Sequence, residues 1–437
     1  TGNTFTNNEG LSGPAVAVNN QSPRRWVNGG GNTGSGNTAT NSIDCDGFYD
    51  STSCHSFDGS TPSTGSLDFV VGKLNNIDNT HGFLMSQGLS IRKLATKGQR
   101  VTLTSPQATA TLSARGFHLE PDGAAAFTTS YGWAYLSNSE LSGGQGGVFA
   151  LEFDKDGEII NYTPRVMGTR RNCGGGVTPW NTWITCEETG AGQCWQVHPT
   201  NAQSAEPTLL GGPEGGNYES FAYDDRDASN VRFFITEDHR LGPVRRFTPD
   251  RSVKRWDMIH GNQGEGTMEF LRFLPGNKYE WVTNKQQGID SASNNYPATE
   301  GIARIGKRLY FVSKLRKTLY VLNLDDGTYT TQQTTQRLLG SGGASFQSQP
   351  DQIIAGDAGE LYFTEDGGST PGIFLMDKKG DMCGVLQGHF NRYRHDETTG
   401  LAFSPDDRRM YFAIQTTGLL FEVTRKDGKK FHDLSCT

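Results

Sequence analysis

Residues 409–428 read RMYFAIQTTGLLFEVTRKDG: an aromatic-rich run, a polar tip at Gln415–Gly418, a second apolar run and a closing Asp-Gly turn. Apolar residues recurring at every second place before such a turn read as a β-hairpin. The same pattern occurs five more times upstream, as GWAYLSNSE with GGVFALEFDKDG, NTWITCEE with GQCWQVHP, VRFFITEDH with GPVRRFTPD, RLYFVSK with TLYVLNLDDG, and ELYFTEDGG with GIFLMDKKGD. Tyr135, Trp183, Phe234, Tyr310, Tyr362 and Tyr411 anchor the first strands. Hairpins repeated in this way, with longer insertions between them, describe blades around one axis better than the fewer, evenly spaced strands of a sandwich. The expected fold is therefore all-β, a six-bladed β-propeller with a central channel.

Composition agrees with that reading. The chain of 437 residues has 56 Gly, 34% hydrophobic and 20% charged residues, which suits short strands and polar turns. Residues 1–65, rich in Gly, Asn, Ser and Thr, bury little surface of their own and read as an irregular N-terminal extension, a clamp or a means of self-assembly. The propeller is expected over 66–437. A formal charge of -7 gives no basic face for nucleic acid or an anionic membrane, so neither is expected as a partner. No apolar run approaches the ~18 residues of a membrane-spanning helix. The opening TGNTFTNNEG is not a signal peptide, and any such segment would already have been removed.

Seven cysteines divide economically into three local pairs and one left over. Cys45 with Cys54, Cys186 with Cys194, and Cys383 with Cys436 are the expected disulfides, and Cys173 stands alone; the alternative is a set of reduced thiols in a cytosolic chain. The sequons at Asn20 and Asn161 accord with a secreted protein, periplasmic or extracellular.

In a propeller the strand before each aromatic anchor lines the channel. Reading back from the anchors reaches Cys173, Glu219, Glu300, Asp351 and Glu397, expected at equivalent places in five blades. A second acidic set lies at the strand tips: Glu140, Glu187 with Glu188, Glu237 with Asp238, and Glu365 with Asp366. Taken singly, each carboxylate can be a solvated turn residue. Converging on a narrow channel, they would repel one another unless cations neutralise them. Oxygen ligands suit calcium, and a thiolate among them suits a transition metal such as iron or zinc. His118, His239, His260 and His389 lack metal-ligand spacing and read as packing or surface residues. Gly174–Gly176 are expected to permit close backbone approach.

The segment NCGGGVTPWNTWITCEE, residues 172–188, resembles the hallmark of the PhoX-type alkaline phosphatases. The resemblance runs from about residue 115 to 425 and includes YESFAYDDRD, FFITEDH, TEGIAR, PDQI, LYFTEDGG and ETTGLAFSPDDRRMYFAIQ. It implies a six-bladed propeller whose iron and calcium cluster hydrolyses phosphomonoesters. It makes Cys173 an iron ligand with Glu188 and Glu300 as neighbours, and Glu140, Glu187, Glu219, Glu237, Asp351, Glu365 and Glu397 candidate iron or calcium ligands. Glu188, Glu300 and Arg304 are the expected catalytic residues. One departure stands out: the family's arginine two residues before the position of Glu300 is Ala298 here, so a phosphate clamp would have to come from Arg304, Lys314 or Arg316. The alternatives to a secreted phosphomonoesterase are an altered homologue serving as an extracellular structural or assembly module with structural metals, and hydrolysis of another ester in the same channel.

Overall fold

Alternating aromatic and small residues pair into antiparallel ladders throughout the computed structural model, which describes residues 69–201, 205–250, 259–261, 265–335, 339 and 346–436. Among these residues the strands form six antiparallel blades: four have four strands, the third has five, and the fifth is extended to six by Val70–Asp78 and Phe83–Gln87. The first blade comprises Pro121–Thr128, Gly132–Ser139, Gly146–Asp154 and Ile159–Thr169, in order from the axis outward. The inner strands of the next four blades are Asn172–Val177, Gly216–Asp224, Thr299–Ile305 and Gln349–Ala355. Blades two and three are joined where Glu188 pairs with Asn217, and blades three and four where Lys278 pairs with Thr328.

The sixth blade closes the ring. Its inner three strands are Thr398–Phe403, Arg409–Ile414 and Leu419–Arg425, whereas its outermost strand, Leu89–Thr96, precedes blade one in sequence. Seven backbone pairs from Leu419↔Thr96 to Arg425↔Leu89 hold this junction, so the two ends of the ring are tied by a ladder.

Packing between blades explains the aromatic anchors. All six are buried on the second strands. Tyr135 and Trp133 of blade one pack with Tyr411 and Ala413 of blade six, and Trp133 Nε1 donates to Tyr411 Oη at 3.1 Å. Burying each such ring contributes roughly 2–3 kcal/mol. The helix Lys285–Asn295 lies between blades three and four in sequence, capped by Asn284, and Ser291 Oγ accepts from Phe273 N. No helix of the described residues is long and apolar enough to cross a membrane.

Cys383 and Cys436 are joined as expected. Cys186 and Cys194 need correction: they face one another across neighbouring strands, but as two buried thiols with Sγ atoms 3.2 Å apart rather than as a disulfide. The short hairpin brings the side chains together without a covalent bond. Asn161 sits half-buried on the outer strand of blade one, its side-chain oxygen accepting from Tyr162 N. The segment 1–65, with Cys45, Cys54 and Asn20, lies outside the described residues.

Candidate metal centre

Every inner strand carries a β-bulge near its start. The register shifts fall between Pro121 and Ala124, Asn172 and Gly175, Tyr218 and Phe221, Thr299 and Ile302, Pro350 and Ile353, and Thr399 and Ala402. A bulge sets two residues against one, bends the strand and re-aims a side chain. In five blades the first bulge residue is Asp122, Cys173, Glu219, Glu300 or Asp351. In the sixth it is Gly400, where a Cβ would lie 2.7 Å from Tyr135 Oη, the group that donates to the Gly400 carbonyl at 2.7 Å.

The glycine after the bulge residue lets neighbouring inner strands approach. A Cβ on Gly174 would come within 2.5 Å of Glu219 Oε1, and one on Gly301 within 2.2 Å of Ile353 N. Asn138 fixes the Cys173 segment by donating to the carbonyls of Cys173 and Gly174 at 2.6 and 2.8 Å, and Trp183 Nε1 donates to Asn138 Oδ1 at 2.9 Å.

Three overlapping groups result. Asp122, Glu140 and Cys173 each place a ligand atom within 4.8 Å of the others; so do Cys173, Glu188 and Glu219, and so do Glu219, Glu300 and Asp351. Cys173 and Glu219 each belong to two groups, so the three form one continuous arc. Glu219 is fully buried and neither of its carboxylate oxygens has a hydrogen-bond partner among the described residues. Leaving such a group unpaired is costly, and a cation is the partner its chemistry calls for.

The strand tips separate into two faces. Glu188 N–H donates to Arg171 O at 2.8 Å and Asp238 N–H to Asn217 O at 2.9 Å, and these residues face the arc with Glu140 and Asp366. Their predecessors Glu187, Glu237 and Glu365, expected as ligands, are engaged elsewhere. Glu187 accepts from Arg170 N and Gln193 N at 2.8 and 3.0 Å. Glu237 pairs with the buried Arg245 at 3.1 Å, and Glu365 accepts from Ser348 N at 2.5 Å. Successive strand residues point to opposite sides, so only one member of each acidic pair can reach the channel.

Glu397 also differs from expectation. It precedes the sixth inner strand, three residues before the bulge position, with Asp351, Asp122 and Asp366 as its charged neighbours. Arg304 points away: its guanidinium donates to the carbonyls of Tyr223 and Gly306 and to Asp225, four residues further along its strand than Glu300. Arg316 donates to Asn294 O. Lys314 does reach the ring, with Nζ 2.6 Å from both Glu300 and Asp238. Arg171 donates to Glu140 and Glu188 while remaining 41% exposed.

Asp122 joins the candidate ligands, a residue the sequence reading passed over, while Asp238 and Asp366, read there among the tip acids, stand beside Lys314. Asp122 accepts from Gly123 N, Thr399 Oγ1 and Gln352 Nε2 at 2.6, 2.5 and 2.7 Å, and from Gln415 Nε2 at 3.0 Å. The signal for it was present: Asp122 stands 13 residues before Tyr135, within the 10 to 15 that separate Cys173 and Glu219 from their own anchors. The Pro-Asp-Gly sequence around it looks like an ordinary turn.

Electrostatics agree with cation binding. Burial, reinforced by Glu140 and Asp351, pushes the Asp122 carboxyl up to about 8. Burial and Glu140 do the same for Glu188, also to about 8. Burial and then Glu300 and Asp351 raise Glu219 well above the usual carboxylate range, and burial with Asp122 and Glu219 raises the Cys173 thiol. Without cations these groups are held neutral; bound cations would favour their ionised, ligating forms. Beyond the ring the channel opens into a cavity of about 500 Å³ lined by Gly175, Ala222, Ala303, Gln352 and other inner-strand residues.

The sequence profile described as alkaline phosphatase PhoX matches residues 76–234, which bears out the resemblance carried by Cys173 and its neighbours. No curated protein matches the chain in sequence. Among solved structures, Pseudomonas fluorescens PhoX in complex with vanadate, described as a transition state analogue, superposes with a TM-score of 0.61 at 14% identity, covering 83% of this chain and 99% of that one. A gluconolactonase from Xanthomonas campestris gives a TM-score of 0.42 at 13% identity, covering 76% and 97% of the two chains. Virginiamycin B lyase from Staphylococcus aureus gives 0.40 at 13%, covering 77% and 99%. The fold is the six-bladed propeller of the PhoX structure.

Proposed function

We propose that the chain is a secreted, metal-dependent phosphomonoesterase that acts on small phosphomonoesters. The observation that carries this reading is the arc itself, with Glu219 buried and unpaired at its centre. Asp122, Glu140, Cys173, Glu188, Glu219, Glu300 and Asp351 would hold the ions. The trio containing only carboxylates suits calcium, and the two groups sharing the Cys173 sulfur suit iron. Such ions would neutralise the charge of a phosphoryl group and polarise its oxygens.

The chain's own residues do the positioning. Arg171, two residues before Cys173, holds in blade two the place that Ala298 holds in blade four. Each has a positive φ, 45° and 54°, and each accepts the N–H of the second-strand residue opposite. A guanidinium there faces the mouth and can donate to a phosphate oxygen, in place of the clamp missing at Ala298. Glu140 and Glu188 orient it. Buried inner strands keep bulk water from the ligands, which strengthens every charge interaction in the ring.

The second reading, a structural module that retains metals, is favoured by the alanine at 298 and by the engagement of Lys314 with two carboxylates. Elemental analysis of purified protein beside a phosphomonoesterase assay at alkaline pH with added calcium decides between them. Iron and calcium with turnover support the enzyme; metals without turnover on any phosphomonoester support the module. Absence of metal sinks both.

A further inference from the structure

Five blades bring one second-strand residue to the mouth at the same rung of the ladder. Glu140, Glu188 and Asp238 donate their N–H groups to Glu120, Arg171 and Asn217 at 3.0, 2.8 and 2.9 Å, and Asp366 pairs with Gln349. At this rung in blade four stands Lys314, donating its N–H to Ala298 O at 2.9 Å. The position that is a carboxylate in four blades is thus an ammonium in the fifth.

Its surroundings are those of a hard cation. Nζ lies 2.6 Å from Asp238 Oδ2, 2.6 Å from Glu300 Oε1 and 3.9 Å from Asp366 Oδ2, three carboxylates supplied by blades three, four and five. The side chain is 23% exposed. An ammonium offers three donors and a compact charge, so it can satisfy carboxylates that a divalent ion would otherwise draw together.

We propose that Lys314 is a built-in cation occupying the place of one divalent ion in the ring: it neutralises the Asp238–Asp366 side of Glu300, where no metal then binds, while Glu300 still shares an ion with Glu219 and Asp351. The inference rests on the reading of the ring as a metal centre. Being covalently tethered, this charge is not lost on chelation. It also reduces the number of ions needed to neutralise the mouth.

The test compares wild type with Lys314→Met after chelation and reloading with calcium chloride, counting ions by mass spectrometry of the elements and recording the calcium dependence of the melting temperature. The variant is expected to bind about one additional calcium ion per chain, since Asp238, Asp366 and the side of Glu300 that faces them then lose their cation, and its melting temperature should become more calcium-dependent. An unchanged count in a metal-containing wild type overturns the proposal and leaves the metal centre standing. A wild type that binds no metal overturns both. Should Lys314→Met fail to fold, Asp238→Asn answers the question: with Lys314 as occupant the wild-type ion count persists, and loss of an ion places a metal there instead.

Discussion

Removing the metals should make stability fall as pH rises. In the metal-free chain the Asp122 carboxyl titrates at about 8, against 3.8 for an ordinary aspartate, and Glu188 at about 8, against 4.5. Both folded values lie above the unfolded ones. The folded protein therefore holds protons that the unfolded chain has released, and the stability present below about pH 4 is lost progressively until pH 8. Each group contributes a slope of about 1.4 kcal/mol per pH unit, so the two together give about 3 kcal/mol between pH 6 and 7. At about 2 °C per kcal/mol for a large domain, the melting temperature should drop by about 6 °C over that unit. Bound cations remove the effect by keeping the ligands ionised. The assay is calorimetry of chelated and reloaded protein at pH 5, 6, 7 and 8, with the gap between the two expected to widen at each step. A chelated protein that melts with the loaded one at pH 8, or a gap of constant size, would refute the reasoning.

Neighbouring acids should respond differently: Asp122→Asn is expected to lower bound metal, whereas Glu187→Ala should keep it but cost roughly 2–4 kcal/mol, because two backbone N–H groups lose their acceptor. Elemental analysis and denaturant unfolding of both variants separate the two roles. Gly174→Ala should destabilise by about 3 kcal/mol or more, since the added Cβ meets Glu219 at 2.5 Å, while Gly190→Ala, with open space around it, should unfold within about 0.5 kcal/mol of wild type. His118, pushed down to about 3 by burial between Tyr162 and Ser137, should keep constant imidazole resonances from pH 8 to pH 5; a midpoint near 6.5 would contradict its burial. Because that folded value is depressed, the stability His118 confers is complete above about pH 6.5 and declines as pH falls toward 3.

The propeller was legible because its information is local. Tyr135, Trp183, Phe234, Tyr310, Tyr362 and Tyr411 mark second strands in the sequence and occupy them in the structure, since an aromatic that packs between blades must recur once per blade. Cys173, Glu219, Glu300 and Asp351 were legible for the same reason, as each lies a short, repeated distance before an anchor. Asp122 obeyed the same spacing yet resembled a turn.

Direction and closure were decided only in three dimensions. Sequence spacing could not tell Glu187 from Glu188 or Glu237 from Asp238, because adjacent strand residues point to opposite sides and the bulges fix which side faces the axis. Nor could it send Arg304 to the carbonyl of Tyr223 and Lys314 to Glu300, a choice made by which blade each side chain meets. The pairing of Leu89–Thr96 with the last blade joins strands more than 300 residues apart, and no local pattern specifies it. The sequence by itself determined the repeat, the strands and the chemistry brought to the channel. The tertiary structure decided which atoms meet there, because charge pairing and ligand grouping depend on distances of a few ångströms between residues far apart along the chain.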